Sequence, residues 1–141
     1  MAEPILPIVL RMPTAADPAT LWAALTVPER AAAWFATASP LGAVGAPYTL
    51  DFGDGSIVDG ELRELVRGHR FAHSWHWLGA PASETTQVTW EVESTADGRS
   101  AVVLRHAGWA EAGLGESDRD DHRSAWQEYL DRLLSLLSGE A

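Results

Sequence analysis

The final quarter of the chain carries the pattern that most limits the fold. Apolar residues recur there at helical spacing, at Trp126, Tyr129, Leu130, Leu133 and Leu137. They predict one long amphipathic helix. Between residues 48 and 106 the apolar period changes to two, which predicts strands joined by hairpin turns. The helix must bury its apolar stripe, and the inner face of an antiparallel sheet is the only large apolar surface available.

The order of predicted elements gives an α+β fold with six strands. Strands are expected over 5–12, 48–52, 57–66, 69–78, 85–93 and 101–106. Two short helices follow the first strand: one is capped by Asp17 before Pro18, and one runs to residue 35 from a capping box of Thr26 and Glu29. Ser117 or Asp118 caps the long final helix. A curved sheet around a straight helix leaves a gap, which is the natural place for a ligand.

Composition narrows the possible functions. With 141 residues, the chain fits one domain over 1–141. It has no cysteine, which excludes disulfides and zinc–thiolate sites, and we expect neither a metal nor a cofactor. The net charge of −10 disfavours nucleic acid. Apolar runs are too short to span a membrane, so a soluble, cytoplasmic protein is expected.

The stretch FAHSWHW at residues 71–77 gathers two histidines and three aromatic residues. As a strand it places Phe71, His73, Trp75 and Trp77 on one face and His76 on the other. His69 shares the face of His73 but stands ~13 Å away, too far to share a zinc ion with it. The aromatic face is therefore either plain core or the wall of a cavity, and the sequence leaves both open.

His106 ends an inward-facing row of side chains close to Trp109 and should point toward the last helix. A polar group at the end of an apolar cavity could orient a ligand or act as an acid or base. It could equally bond a backbone carbonyl and have no further role.

Four segments together resemble one known family. They are LWAALTVPERAAAWF at 21–35, IVDGELRELVRGHRFAHSWHW at 57–77, TQVTWEVESTADGRSAVVLRHAG at 86–108 and WQEYLDRLLSLL at 126–137. In order and spacing they are similar to the activators of heat-shock protein 90 ATPase homologues, with Trp75, His106, Gly108 and Trp126 at matching positions. The resemblance implies the helix-grip fold of the SRPBCC, or START and Bet v 1-like, superfamily, whose members enclose an apolar cavity between the sheet and the C-terminal helix.

Three interpretations of function follow from the resemblance. The first is a non-enzymatic binder of a small apolar ligand, such as a lipid, a polyketide or an aromatic metabolite. We expect its cavity to be lined by Trp75, Trp77, Trp90, His106, Trp126 and Tyr129, with Trp34 and Phe35 near the mouth. The second is a cyclase- or hydrolase-type enzyme in which His106 is the acid or base. The third is a stress-related co-chaperone or interaction module. A monomer or a homodimer fits each of them.

Overall fold

The computed structural model describes residues 5–139. Its strands are β1 Ile8–Thr14, β2 Thr37–Ala38, β3 Pro47–Asp51, β4 Ile57–Val66, β5 Arg70–Trp75, β6 Thr86–Ser94 and β7 Ser100–Ala107. Its helices are α1 Pro18–Thr26, α2 Pro28–Ala31 and α3 Glu116–Gly139. None of these helices is both long enough and apolar enough to cross a bilayer.

All seven strands form one antiparallel sheet in the order β1-β7-β6-β5-β4-β3-β2. The sheet curls into a half-barrel around α3, which confirms the predicted helix-grip fold. The predicted count of six strands was one short. The additional strand, β2, has only two residues and pairs with Leu50 and Asp51 of β3. Two residues are too few to show a period-two pattern, so periodicity could not predict this strand.

The apolar stripe of α3 faces the sheet as predicted. Trp126, Leu130, Leu133 and Leu137 are buried, and both Leu130 and Leu133 have no exposed surface. The helix begins at Glu116, so Ser117 and Asp118 lie in its first turn rather than at the cap. The Asp118 carboxylate instead accepts the backbone N–H of Gly115 at 3.0 Å. This burial of one stripe fixes which face of α3 packs against the sheet.

The second helix is shorter than predicted. It covers four residues, Pro28–Ala31, and the capping box expected from Thr26 does not form. Thr26 is the last residue of α1, and its hydroxyl donates to the carbonyl of Trp22 at 2.8 Å. Because the Thr26 hydroxyl bonds within α1, it does not cap α2. A turn follows α2, where the helix was expected to continue to residue 35.

Strands β4 and β5 approach each other unusually closely. A Cβ added at Gly60 would overlap the backbone carbonyl oxygen of Ser74, so only glycine fits there. The register shifts between Leu62 and Glu64. Regular pairing of β5 ends at Trp75, before the predicted end at residue 78, and Trp77 forms an isolated bridge with Val58. These features bring Trp77 to the opening of the half-barrel beside α3.

Candidate functional site

A cavity of about 120 Å³ opens between α3 and the hairpin of β3 and β4. Six aromatic rings form most of its lining: Phe35, Phe52, Trp75, Trp77, Trp126 and Tyr129. The other lining residues are Asp54, Ser56, His122 and Ala125. Two further depressions are larger in volume, one beside Arg63 and Glu111 and one beside Thr95 and Arg99, but their linings contain no aromatic side chain. The aromatic lining makes the first cavity the candidate ligand site.

The cavity is small because aromatic rings fill most of the gap between sheet and helix. The rings of Trp75 and Trp126 have centroids 5.1 Å apart. Phe35, which follows α2, lies 5.4 Å from the Trp126 ring and 5.1 Å from the Tyr129 ring. Phe52, at the end of β3, lies 5.8 Å from Tyr129. The walls are therefore edges and faces of rings in mutual contact, an arrangement suited to a flat partner.

Three tryptophans donate their indole N–H groups to histidine nitrogens. Trp126 bonds Nδ1 of His106 at 3.0 Å, Trp77 bonds Nε2 of His122 at 3.0 Å, and Trp90 bonds Nε2 of His73 at 3.2 Å. A ring nitrogen that accepts a hydrogen bond carries no proton, so Nδ1 of His106, Nε2 of His122 and Nε2 of His73 are the unprotonated nitrogens in this arrangement. The Trp77–His122 bond lies in the cavity wall, and the other two lie behind it.

Both nitrogens of His106 are engaged. Since Nδ1 accepts from Trp126, Nε2 carries the proton and donates to Oγ1 of Thr86 at 2.7 Å. Burial, together with the smaller effects of His122 and His73, holds the pKa of His106 well below its ordinary value. His106 therefore joins α3, β6 and β7, and it has no nitrogen left for a ligand.

His73 is equally enclosed on the central strand β5. It has no exposed surface, its Nδ1 lies 3.0 Å from the carbonyl of Ser74, and its ring lies 4.4 Å from that of Tyr48. Burial lowers the pKa of His73 to about 4, against a smaller opposing effect of the bond to Ser74. His73 is thus a neutral core residue at physiological pH.

Trp75 differs from its aromatic neighbours in the wall. Its side chain is buried, yet the indole N–H has no hydrogen-bond partner among residues 5–139. Packing against Trp77, His106 and Trp126 is what holds this ring. Among the three tryptophans of the lining, Trp75 is the one whose indole N–H forms no hydrogen bond that a displacement would break.

Two polar residues of the cavity, Asp54 and Ser56, lie at the turn of the β3–β4 hairpin. Asp54 occupies its turn between Gly53 and Gly55, whose φ angles of 84° and 94° favour glycine. The backbone N–H of Ser56 donates to Asp54 Oδ1 at 3.0 Å, and this bond lowers the pKa of the Asp54 carboxyl. The carboxylate is exposed, so the cavity carries a negative charge beside its aromatic walls.

Five of the eight residues expected at the cavity line it: Phe35, Trp75, Trp77, Trp126 and Tyr129. The other three lie behind its wall. Trp34 donates to the carbonyl of Ala24 at 2.9 Å, while Trp90 and His106 are occupied with His73 and Trp126. These three support the cavity rather than border it.

Sequence reasoning missed several lining residues. Phe52 shares the alternating pattern of Tyr48 and Leu50, so its inward position was visible in the sequence. His122 precedes Trp126 by one helical turn, so the helical spacing already places it on the same side of α3. The position of Asp54 at the cavity was not predictable, because the local sequence does not indicate toward which side of the sheet a turn projects.

Comparison with known families identifies the chain. The family model described as Activator of Hsp90 ATPase homolog 1-like protein matches residues 15–138. The chain belongs to this family. The resemblance inferred from the four sequence segments is thereby confirmed. No curated protein matches the chain significantly.

Several solved structures share the fold of this member of the Activator of Hsp90 ATPase homolog 1-like family. DynU16, from the dynemicin biosynthetic locus, is 25% identical, with a TM-score of 0.84 over 96% of this chain and 48% of that one. Protein MLL2253 from Mesorhizobium loti is 18% identical, with a TM-score of 0.84 over 96% and 99%. The Aha1 dimer from Colwellia psychrerythraea is 24% identical, with a TM-score of 0.74 over 94% and 96%. The chain thus spans about half the length of DynU16.

Proposed function

We propose that this protein binds a small, flat, apolar ligand in the cavity between α3 and the β3–β4 hairpin. The observation that carries the proposal is the lining, in which six of the ten residues are aromatic. Aromatic walls offer a large apolar contact area with little side-chain freedom to lose on binding. The fold is commonly a ligand-binding one, which agrees with this use of the cavity.

The volume favours an aromatic metabolite over a lipid or a polyketide. An apolar cavity of about 150 Å³ accepts benzene, whereas sites for larger ligands measure about 300–1,000 Å³. A cavity of about 120 Å³ that opens to solvent matches a compound of one ring. A larger ligand would have to displace one of the aromatic wall residues.

The surroundings of His106 favour binding over the cyclase- or hydrolase-type alternative. A general acid or base must reach the reacting group, and His106 lies outside the cavity lining with both nitrogens bonded. Catalysis through His106 would first require the bond to Trp126 or Thr86 to break. The co-chaperone alternative is supported by the family description alone.

The proposal is tested by following the seven indole N–H resonances in ¹H–¹⁵N spectra during titration with benzene, p-cresol and palmitate. We expect benzene and p-cresol to shift the resonances of Trp75, Trp77 and Trp126, which line the cavity. The resonance of Trp22, which does not line it, serves as the internal reference.

A filling variant provides the matched control. Ala125→Phe places a ring in the cavity from α3 and should abolish the shifts, whereas Ser124→Phe, at the neighbouring exposed position outside the lining, should preserve them. The proposal fails if no compound shifts the three resonances, or if the Ala125→Phe variant binds as the unmodified protein does.

A further inference from the structure

The lining of the cavity combines aromatic rings with one carboxylate and contains neither arginine nor lysine. It includes three tryptophans, two phenylalanines and a tyrosine, and Asp54 is its sole acidic residue. The face of an aromatic ring is electronegative, so it attracts a cation positioned within about 6 Å of its centroid. Three or more such faces around one space form the kind of enclosure that recognises alkylammonium groups.

The Asp54 carboxylate is placed to act as a counter-charge. It forms no ion pair with any residue in the described range 5–139, and it is exposed at the cavity mouth. Its field reaches Tyr129 in the lining: burial is the main cause that raises the pKa of Tyr129, the charge of Arg132 opposes this rise, and the charge of Asp54 adds to it. The net charge of −10 further enriches cations near the surface.

A cation beside the lining, Arg132, already uses an aromatic face. The guanidinium carbon of Arg132 lies 5.2 Å from the centroid of the Tyr129 ring, and Arg132 is not among the lining residues. Trp75, Trp77 and Trp126 border the cavity, and no arginine of residues 5–139 is in its lining. His122 also lines the cavity, where its Nε2 accepts the indole N–H of Trp77.

We propose that the ligand of this cavity carries a quaternary or protonated ammonium group, enclosed by the aromatic walls and balanced by Asp54. The inference rests on the proposed function, because it assigns a chemical class to the ligand of the same cavity. A trimethylammonium group has about the bulk of a single aromatic ring, so it is compatible with the available space.

The decisive probe pair is choline and 3,3-dimethylbutan-1-ol, which have the same shape and hydroxyl group and differ in charge. Titration of each is followed by the upfield ring-current shift of its methyl protons in ¹H spectra at low ionic strength. We expect choline to bind at least about tenfold more tightly, as a desolvated cation–π contact would give. Equal affinity for the two compounds would overturn the inference.

Two charge-matched variants test the counter-charge. Asp54→Asn should weaken choline binding about threefold to tenfold and leave 3,3-dimethylbutan-1-ol unchanged. Asp59→Asn removes the same charge from an exposed site outside the lining and should alter neither affinity. If both variants weaken choline equally, or neither does, Asp54 has no specific part and the inference is wrong as stated.

The outcomes also separate this inference from the proposed function. If benzene binds and choline does not, the cavity takes neutral ligands: the ammonium class is wrong and the proposed function stands. If no probe binds, both fail. Cosedimentation with phosphatidylcholine vesicles, with phosphatidylglycerol vesicles as the reference, distinguishes a lipid headgroup from a free metabolite as the source of the ammonium group.

Discussion

The indole N–H of Trp126 donates to Nδ1 of His106 at 3.0 Å and so joins α3 to β7 by a polar bond inside an apolar core. Thr86 bonds the other nitrogen of His106 at 2.7 Å, which extends the connection to β6. Apolar packing sets how deep a helix lies on a sheet but only weakly sets its position along the sheet. A buried directional bond selects one position, and this one lies directly behind the ligand cavity.

Replacing Trp126 by Phe should cost more stability than replacing Trp75 by Phe, although both changes remove the same volume. Trp126→Phe leaves Nδ1 of His106 buried without a donor, which costs about 1–3 kcal/mol beyond the lost packing. Trp75→Phe breaks no hydrogen bond, because its N–H has no partner among the described residues. Urea denaturation at pH 7 measures both free energies of unfolding. Equal losses would show that the bond to His106 contributes nothing.

The unfolding free energy should fall as the pH drops from about 6.5 to 4. In the unfolded chain histidine binds a proton near pH 6.5, whereas burial lowers the pKa of His73 in the folded protein to about 4. The unfolded state therefore binds more protons between these two pH values. The stabilising contribution of neutral His73 is fully present above pH ~6.5 and is lost progressively as the pH falls toward 4. Each such histidine contributes a slope of up to about 1.4 kcal/mol per pH unit.

Variants at two histidines isolate this contribution from that of the carboxylates. His73→Gln should be less stable at pH 7, because the acceptor for Trp90 is altered, but should lose less stability between pH 7 and 4. His69 is exposed, so His69→Gln should reproduce the curve of the unmodified protein. An unchanged slope in the His73→Gln variant would contradict the account.

Substitution of Gly60 by Ala should destabilise the sheet by about 1–3 kcal/mol, the usual cost of overpacking a well-packed region. The new Cβ would overlap the Ser74 carbonyl oxygen, which is backbone and cannot rotate away. Gly115→Ala is the control, since a Cβ at that position meets no atom within 4 Å. Thermal unfolding followed by circular dichroism compares the two. A Gly60→Ala protein as stable as the control would mean that β4 and β5 are farther apart than described.

Replacing Leu133 by Ala should cost about 2–5 kcal/mol, because the side chain has no exposed surface and its removal leaves a cavity between α3 and the sheet. Ser135→Ala, on the exposed side of the same helix, should change the free energy of unfolding by less than about 0.5 kcal/mol. Guanidinium denaturation of the two variants measures the difference. A small effect at Leu133 would contradict the docking of α3 against the sheet.

The architecture was predictable because it depends on periodicity, which is a local property of the sequence. The stripe through Leu130, Leu133 and Leu137 identifies both the long helix and its buried side, and the alternation at Val88, Trp90 and Val92 does the same for a strand. Errors occurred where a side chain had two local choices. Thr26 suits a helix cap equally well, but it bonds back to Trp22 instead.

The cavity was less predictable, because its size depends on how rings from distant segments meet. His73 and Trp90 are 17 residues apart in sequence and pair only because β5 and β6 align in one particular register. Trp126 and His106 meet across the interface between helix and sheet. Which tryptophans border the cavity and which lie behind it is therefore a property of the packed core. The alternating pattern of a strand shows only that a tryptophan points inward, so it cannot tell a tryptophan that borders the cavity from one that lies behind it.

The turn between Gly53 and Gly55 places Asp54 at the cavity mouth, where its side chain is exposed and does not pack in the core. Exchange of this residue can reverse or remove the charge that an entering compound meets, while every core contact is preserved. Single substitutions at Asp54 would therefore change which compounds the cavity prefers, and each such variant would keep the folded core.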